Sequence, residues 1–190
     1  MRLIGITGPT GAGKSTVCAL LRARGFFVLD GDALAREVVV PGAPLLGELA
    51  AAFGAEILAG DTLNRRALAE RAFASTENTK KLNTLMHPAI FALMQEKLRV
   101  CGKQLAFIEG AALLESPLAA ACDAIVAVLA PEDERRARIL RRDGLSDADA
   151  RLRMNAQRAD AYYAARAQFV IINDKANPLA PQVEAMLCEV

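Results

Sequence analysis

The octapeptide Gly8-Pro9-Thr10-Gly11-Ala12-Gly13-Lys14-Ser15 restricts what this chain can fold into more than any other stretch. It fits G-x-x-x-x-G-K-[ST], a loop whose glycines let backbone N–H groups turn inward around a phosphate. The loop works between a strand and a helix start, because the helix N-terminus adds orphan donors and partial positive charge. Its flanks meet that demand. Leu3 to Thr7 is a short apolar run ended by glycine, and Val17, Leu20 and Leu21 recur at helical spacing between Ser15 and Ala23. A glycine turn that merely packs a helix on a strand is the plainer reading, but it gives Lys14 no purpose. The pattern therefore predicts an ATP site on Gly11, Ala12, Gly13, Lys14, Ser15 and Thr16, with Lys14 at the β and γ phosphates and the Ser15 hydroxyl on Mg²⁺. Motors, GTPase switches and kinases all use such a loop, so the rest of the chain has to choose among them.

Further apolar runs lie at Phe26 to Leu29, Leu105 to Ile108, Ala124 to Leu129 and Phe169 to Ile172. With the first run they predict five strands alternating with helices. Runs apolar on both faces argue for a parallel sheet between helices, with ligands beyond the carboxyl ends of its strands. The expected fold is α/β: a P-loop core over 1–40, 101–130 and 165–190, with a helical insertion over 41–100 and a helical lid over 131–164. The insertion has no convincing strand but carries helical spacing at Leu45, Leu46, Leu49 and Phe53, and again at Leu82, Leu85 and Met86. Pro88 predicts a helix break at His87 with a restart behind it.

At 190 residues the chain suits a single domain with small appended lobes. A net charge of +1 with 24% charged residues excludes both a disordered chain and a general nucleic-acid binder. Cys18, Cys101, Cys122 and Cys188 form no C-x-x-C pair and have one histidine, His87, as a companion, so buried, reduced thiols in a cytoplasmic protein are expected. No apolar stretch approaches the ~20 residues of a membrane span, and no cleavable leader is expected.

Asp30 and Asp32 follow the second strand, which puts them at the carboxyl edge of the sheet. Read as an extended segment, this D-x-D points both side chains the same way, and Asp32, further out, is chosen as general base for an acceptor hydroxyl. A helix cap is the plainer role for either residue. Between Arg135 and Arg158, eight arginines stand against the three acids Asp143, Asp147 and Asp149. Pro131-Glu132 suits a helix start, Asp143-Gly144 a stop, and Ser146 with Asp149 a capping box for a second helix. Arg138 and Arg142, four apart, share a face from which they would clamp phosphates and exclude water, although a solvated basic face is the plainer alternative. The missing N-K-x-D motif weakens a GTPase, since Asn173-Asp174-Lys175 has the wrong order.

Taken together, Gly8 to Thr16, the run Asp30-Gly31-Asp32-Ala33-Leu34-Ala35-Arg36-Glu37-Val38 with Pro41-Gly42, Leu82-Asn83 with His87-Pro88-Ala89-Ile90, and Arg138, Arg142-Asp143-Gly144-Leu145-Ser146, Arg153 and Gln157 resemble the dephospho-CoA kinase family. The resemblance spans almost the whole chain in order. It implies a P-loop kinase core with a CoA-side helical domain and a lid, and transfer of the ATP γ-phosphate to the ribose 3′-hydroxyl of dephospho-CoA. It also implies Asp32 as base; with the loop and lid readings, Asp32, Lys14, Arg138 and Arg142 are the expected catalytic residues, in a monomer or weak homo-oligomer with no nucleic-acid or membrane partner expected. Two positions depart from the family pattern. Where the family has D-x-P-L-L with an aromatic and Glu, this chain runs Glu109-Gly110-Ala111-Ala112-Leu113-Leu114-Glu115, so Glu109 keeps a carboxylate for water-bound Mg²⁺ on a longer side chain. Phe91 replaces a common arginine and removes that charge from the acceptor side.

Overall fold

Every strand pairing in the main sheet is parallel, so each strand end that meets a ligand lies on the same edge. The computed structural model describes residues 1–190. Its elements run β1 (Arg2–Thr7), α1 (Lys14–Ala23), β2 (Phe27–Asp30), α2 (Gly31–Glu37), α3 (Pro44–Phe53), β3 (Leu58–Ala59), β4 (Thr62–Leu63), α4 (Arg65–Ala72) and α5 (Thr76–Cys101). They continue with β5 (Leu105–Glu109), β6 (Ala124–Leu129), α6 (Glu132–Asp143), α7 (Asp147–Asn155), α8 (Asp160–Ala164), β7 (Phe169–Ile172) and α9 (Leu179–Glu189). The chain divides into two compact units, Met1–Asp30 with Lys103–Val190, and Gly31–Gly102.

The first unit holds a five-stranded sheet in the order β2-β5-β1-β6-β7. The strand leading into the phosphate loop is therefore central. That position explains its composition, since Leu3 to Thr7 are all buried and β6 is buried along its whole length. Side chains alternate across the sheet, so Ile4, Ile6, Phe107, Val126, Val128 and Ile171 pack on α1 (Val17, Cys18, Leu21) and α9 (Val183, Met186). On the other face Ala127 and Leu129 meet Tyr163 of α8. The five strands expected from the sequence are the five strands observed, within one residue at each end.

The second unit packs α3, α4 and α5 around Leu45, Leu46, Leu49, Phe53, Leu68 and Ala72, with Leu82, Leu85 and Met86 against them. The two helical patterns in the sequence thus mark the faces that meet. Two expectations fail here. Helix α5 runs unbroken through Pro88, from the Ser75 cap, whose hydroxyl accepts from the Asn78 N–H at 3.1 Å, to a left-handed Gly102. Proline removes one donor from the ladder, and the packing of α5 offsets that loss: Leu85, Met86 and Ala89 lie half-buried against the neighbouring helices, and Ile90, Met94 and Leu98 beyond the proline are buried. The segment is also not purely helical, because β3 and β4 form an antiparallel hairpin around Gly60, which has φ 66°. Two residues per strand are too few to write a period of 2 into a sequence.

The thiols differ from expectation as well. Cys18 is buried, Cys101 and Cys122 are half-buried, and Cys188 is exposed near the end of α9. Burial pushes the Cys18 and Cys122 thiols up to about 12, which leaves both protonated and unreactive at neutral pH. No helix is long and apolar enough to cross a membrane.

Phe107 is fully buried on β5, beside the central strand, and meets Phe26 edge to face at 5.5 Å. Phe107→Ala should lower unfolding free energy by about 3–5 kcal/mol. Urea titration checks this, and a loss under about 1 kcal/mol would contradict the packing described.

Candidate active site

Helix α1 begins on Gly13, which has φ 99° and therefore no side chain to cap the helix, and no acid lies in its first turn. Its first N–H groups have no intrahelical acceptors, so the helix presents donors and partial positive charge to whatever sits before it. A cavity of about 540 Å³ lies there, lined by Gly11, Gly13, Lys14, Ser15, Thr16, Glu109, Arg138, Arg141 and Arg142. Four cations face one carboxylate. The loop, the lid arginines and Glu109 that the sequence singled out are thus brought together, though Ala12 is not in the lining.

Lys14 is nearly buried, and its Nζ donates to the Gly8 carbonyl at 2.9 Å and the Pro9 carbonyl at 3.2 Å. The ammonium is thereby held across the loop that its own helix begins. Gly8 has φ 140°, and a Cβ there would lie 2.1 Å from the Val128 carbonyl oxygen, so the loop also presses against β6. Glu109 ends β5 in register with Asp30 at the end of β2. After burial, the charges of Glu109 and Asp30 contribute to raising the Cys18 pKa.

Asp32 is not part of an extended segment. Helix α2 starts at Gly31, so Asp32 lies in its first turn, and the alternation that aligned it with Asp30 does not apply. The two aspartates fall on either side of the division between units. An acid in a first turn is favoured by the helix dipole.

The lid helices form as their termini predict. Gly144, with φ 64°, closes α6, while the Ser146 hydroxyl accepts from the Asp149 N–H at 3.1 Å and donates to its carboxylate at 2.6 Å. Most lid arginines are neutralised locally. Arg136 and Arg151 share Asp147, and Arg138 pairs with Glu134 at 2.6 Å. Arg142 grips Asp143 through Nε at 2.7 Å and Nη2 at 2.9 Å, and Arg153 reaches the same carboxylate at 2.8 Å. Arg138 does more than line the cavity, because its Nη1 donates to the Gly11 and Ala12 carbonyls at 3.2 and 3.3 Å.

Helical spacing could not reveal several residues that surround the loop. Arg141 lines the cavity beside the pair that the i, i+4 rule selected. Arg135, buried, donates through Nε to the Thr10 carbonyl at 3.2 Å while its Nη1 pairs with Asp160 at 2.8 Å. The Gln157 side chain accepts from the Thr10 N–H at 2.7 Å, and Asn173 donates to the Ala12 carbonyl at 2.7 Å. Gln157 was detectable only through the family resemblance. Asn173 has one local signal, its position directly after the last strand.

His87, half-buried in α5, has its pKa lowered by desolvation. Phe91, on the same helix, is exposed.

A family model described as dephospho-CoA kinase matches residues 2–178. A curated relative with that name from Anaeromyxobacter dehalogenans (strain 2CP-C) is 46% identical over 194 residues, covering 100% of this chain and 92% of the relative. The solved structure of TT1252 from Thermus thermophilus superposes with a TM-score of 0.86 at 36% identity, covering 100% of this chain and 97% of that one. A dephospho-CoA kinase from Campylobacter jejuni superposes at 0.60 with 23% identity, covering 99% and 96%, a likeness of fold.

The Arg142 and Arg153 guanidinium groups hold the Asp143 carboxyl below the ordinary aspartate value of 3.8, the Arg142 hydrogen bonds contributing most. A group depressed in the folded state stabilises it above its unfolded pKa, and that contribution is lost as pH falls through the lowered folded value. The melting difference between wild type and Asp143→Asn should therefore be constant from pH 5 to 8 and shrink as pH falls below the unfolded aspartate value toward the lowered folded one. Carbon-detected NMR should place the Asp143 midpoint below 3.8. A midpoint at or above that value would remove the ion pairs from the lid turn.

Proposed function

The chain belongs to the dephospho-CoA kinase family, and on that premise we propose that it transfers the γ-phosphate of ATP to the ribose 3′-hydroxyl of dephospho-CoA, yielding coenzyme A and ADP. One observation carries this reading onto the chain's own residues. An uncapped, acid-free helix N-terminus opens on a cavity where Lys14, Arg138, Arg141 and Arg142 outnumber Glu109. That arrangement suits a polyanion and leaves a neutral or cationic ligand unsatisfied.

In this reading the N–H groups of Gly13, Lys14 and Ser15 bind the β and γ phosphates, and Lys14 exchanges its carbonyl partners for phosphate oxygens. Arg138, Arg141 and Arg142 meet the charge that spreads over the moving phosphoryl group. The bond from the γ-phosphorus to the β-bridging oxygen breaks as the bond to the acceptor oxygen forms. ADP leaves, and the acceptor's proton passes to Asp32, the base by family resemblance. The donor set also fits Mg²⁺. The Ser15 hydroxyl and the Glu109 carboxylate line one cavity, whereas no three His, Cys, Asp or Glu residues cluster as a metal cage. Mg²⁺ keeps most of its waters and takes phosphate oxygens, so one hydroxyl and one carboxylate acting through water are enough, and the ion supplies neutralisation of phosphate charge. We place the protein in the cytoplasm as a monomer or weak homo-oligomer, with the small-molecule acceptor as its partner.

Purified protein with ATP, Mg²⁺ and dephospho-CoA should release ADP, and EDTA should abolish the release. Asp32→Asn should lower kcat by about 10²–10⁴ with ATP affinity nearly intact, whereas Lys14→Ala should lose both affinity and turnover. Release with a nucleoside monophosphate or a sugar but none with dephospho-CoA would overturn the acceptor. Full activity in Asp32→Asn would make that residue a helix-terminal acid and no more.

A further inference from the structure

A loop that points its N–H groups at a phosphate must turn its carbonyls the other way, and each outward carbonyl then needs a donor of its own. The donors form a sequence along the loop. Lys14 serves Gly8 and Pro9, Arg135 serves Thr10, Arg138 serves Gly11, and Asn173 serves Ala12. The Asn173 contact, at 2.7 Å from Nδ2 to the Ala12 oxygen, is the shortest of them. It is also the only one made by a short, neutral, planar group, and an amide can meet a carbonyl only with its NH₂.

Asn173 is itself held on two sides. Its N–H donates to the Leu129 carbonyl at the end of β6 at 2.7 Å, and its carbonyl accepts from Arg138 Nη2 at 2.9 Å. Arg138 in turn reaches back to the Ala12 carbonyl, closing a ring of Ala12, Asn173 and Arg138. Gly13 fits inside this ring because it lacks a side chain: a Cβ there would fall 1.9 Å from Asn173 Nδ2, and φ is 99°. The left-handed backbone favours glycine at position 13, and any Cβ there would also have to displace the Asn173 amide. Asn173 is not among the residues lining the cavity.

We propose that Asn173 is a positioning residue for nucleotide binding: its side-chain amide holds the Ala12 carbonyl outward, which turns the Gly13 N–H and the start of α1 toward the phosphates. The inference rests on the reading that this loop binds ATP. Because the amide hangs from the end of β7, the orientation of one peptide after central β1 is set from an edge strand of the sheet. A preorganised donor costs nothing to orient when the ligand arrives, whereas a peptide free to rotate must be ordered at the expense of binding.

The decisive variant is Asn173→Asp, which keeps the shape but sets a carboxylate oxygen against the carbonyl. Calorimetric titration of wild type and variant with ATP and Mg²⁺, and separately with dephospho-CoA, reads the effect with no turnover needed. ATP affinity should fall about 10- to 100-fold, because the Ala12 carbonyl loses its shortest donor and keeps only the 3.3 Å contact from Arg138, while acceptor affinity stays within about twofold. Asn173→Ala, which removes the donor without adding charge, carries the same expectation if the aspartate variant does not fold. Unchanged ATP affinity in either variant would overturn the proposal. So would equal losses for both ligands together with a fallen melting temperature, which is the pattern of a residue that only supports the fold. A wild-type protein that binds no ATP would sink the nucleotide reading underneath.

Discussion

The polarity of one stretch of backbone governs the rest of this molecule. Between Gly8 and Ser15, N–H groups are spent on one side and carbonyls on the other, and neither side can be left without partners where the chain is buried. The glycines meet the first requirement by entering positive φ, at 140° for Gly8, 76° for Gly11 and 99° for Gly13. The second requires donors that the loop does not contain, apart from Lys14. They come from α6 and from the end of β7, so a local motif is completed by residues more than 120 positions away. A central position for β1 follows, since only a strand flanked on both sides delivers its end to neighbours from two directions.

This arrangement gives the lid a dual character. Arg138 lines the cavity and also braces the Gly11 and Ala12 carbonyls, so the helix over the phosphate site is part of what shapes it. The other arginines are mostly committed to Asp143 and Asp147, at exposures where an ion pair contributes little stability. Their value lies in geometry: two carboxylates at the start and end of one short turn hold four guanidinium groups in order. Arg142 belongs to both, since it grips Asp143 at the lid turn and lines the cavity as well.

Where structure and sequence part company, packing is the reason. Pro88 is a strong local signal against a continuous helix, and its cost of about 3 kcal/mol is comparable to what a few buried side chains supply. Half-buried Leu82, Leu85 and Met86 before it and buried Ile90, Met94 and Leu98 after it pack in the same unit, so the helix survives. Asp32 shows the reverse. A reading based on strand alternation fails because the chain turns helical one residue after β2, and nothing between Asp30 and Asp32 announces that turn except a glycine. The hairpin at Leu58–Leu63 is too short for any periodicity to register.

The residues alone determined the phosphate loop, the five parallel strands, the two patterned helical faces and the capped lid helices, because each is written in spacing no longer than one element. They also carried the family, through motifs in the right order from Gly8 to Gln157. Tertiary structure alone decided which side chains complete the loop. Arg135, Arg141, Gln157 and Asn173 have no local pattern pointing to Thr10, Ala12 or the cavity, and they arrive there through strand order and helix packing. A donor across the fold is chosen by distance in space, and a sequence records only distance along the chain.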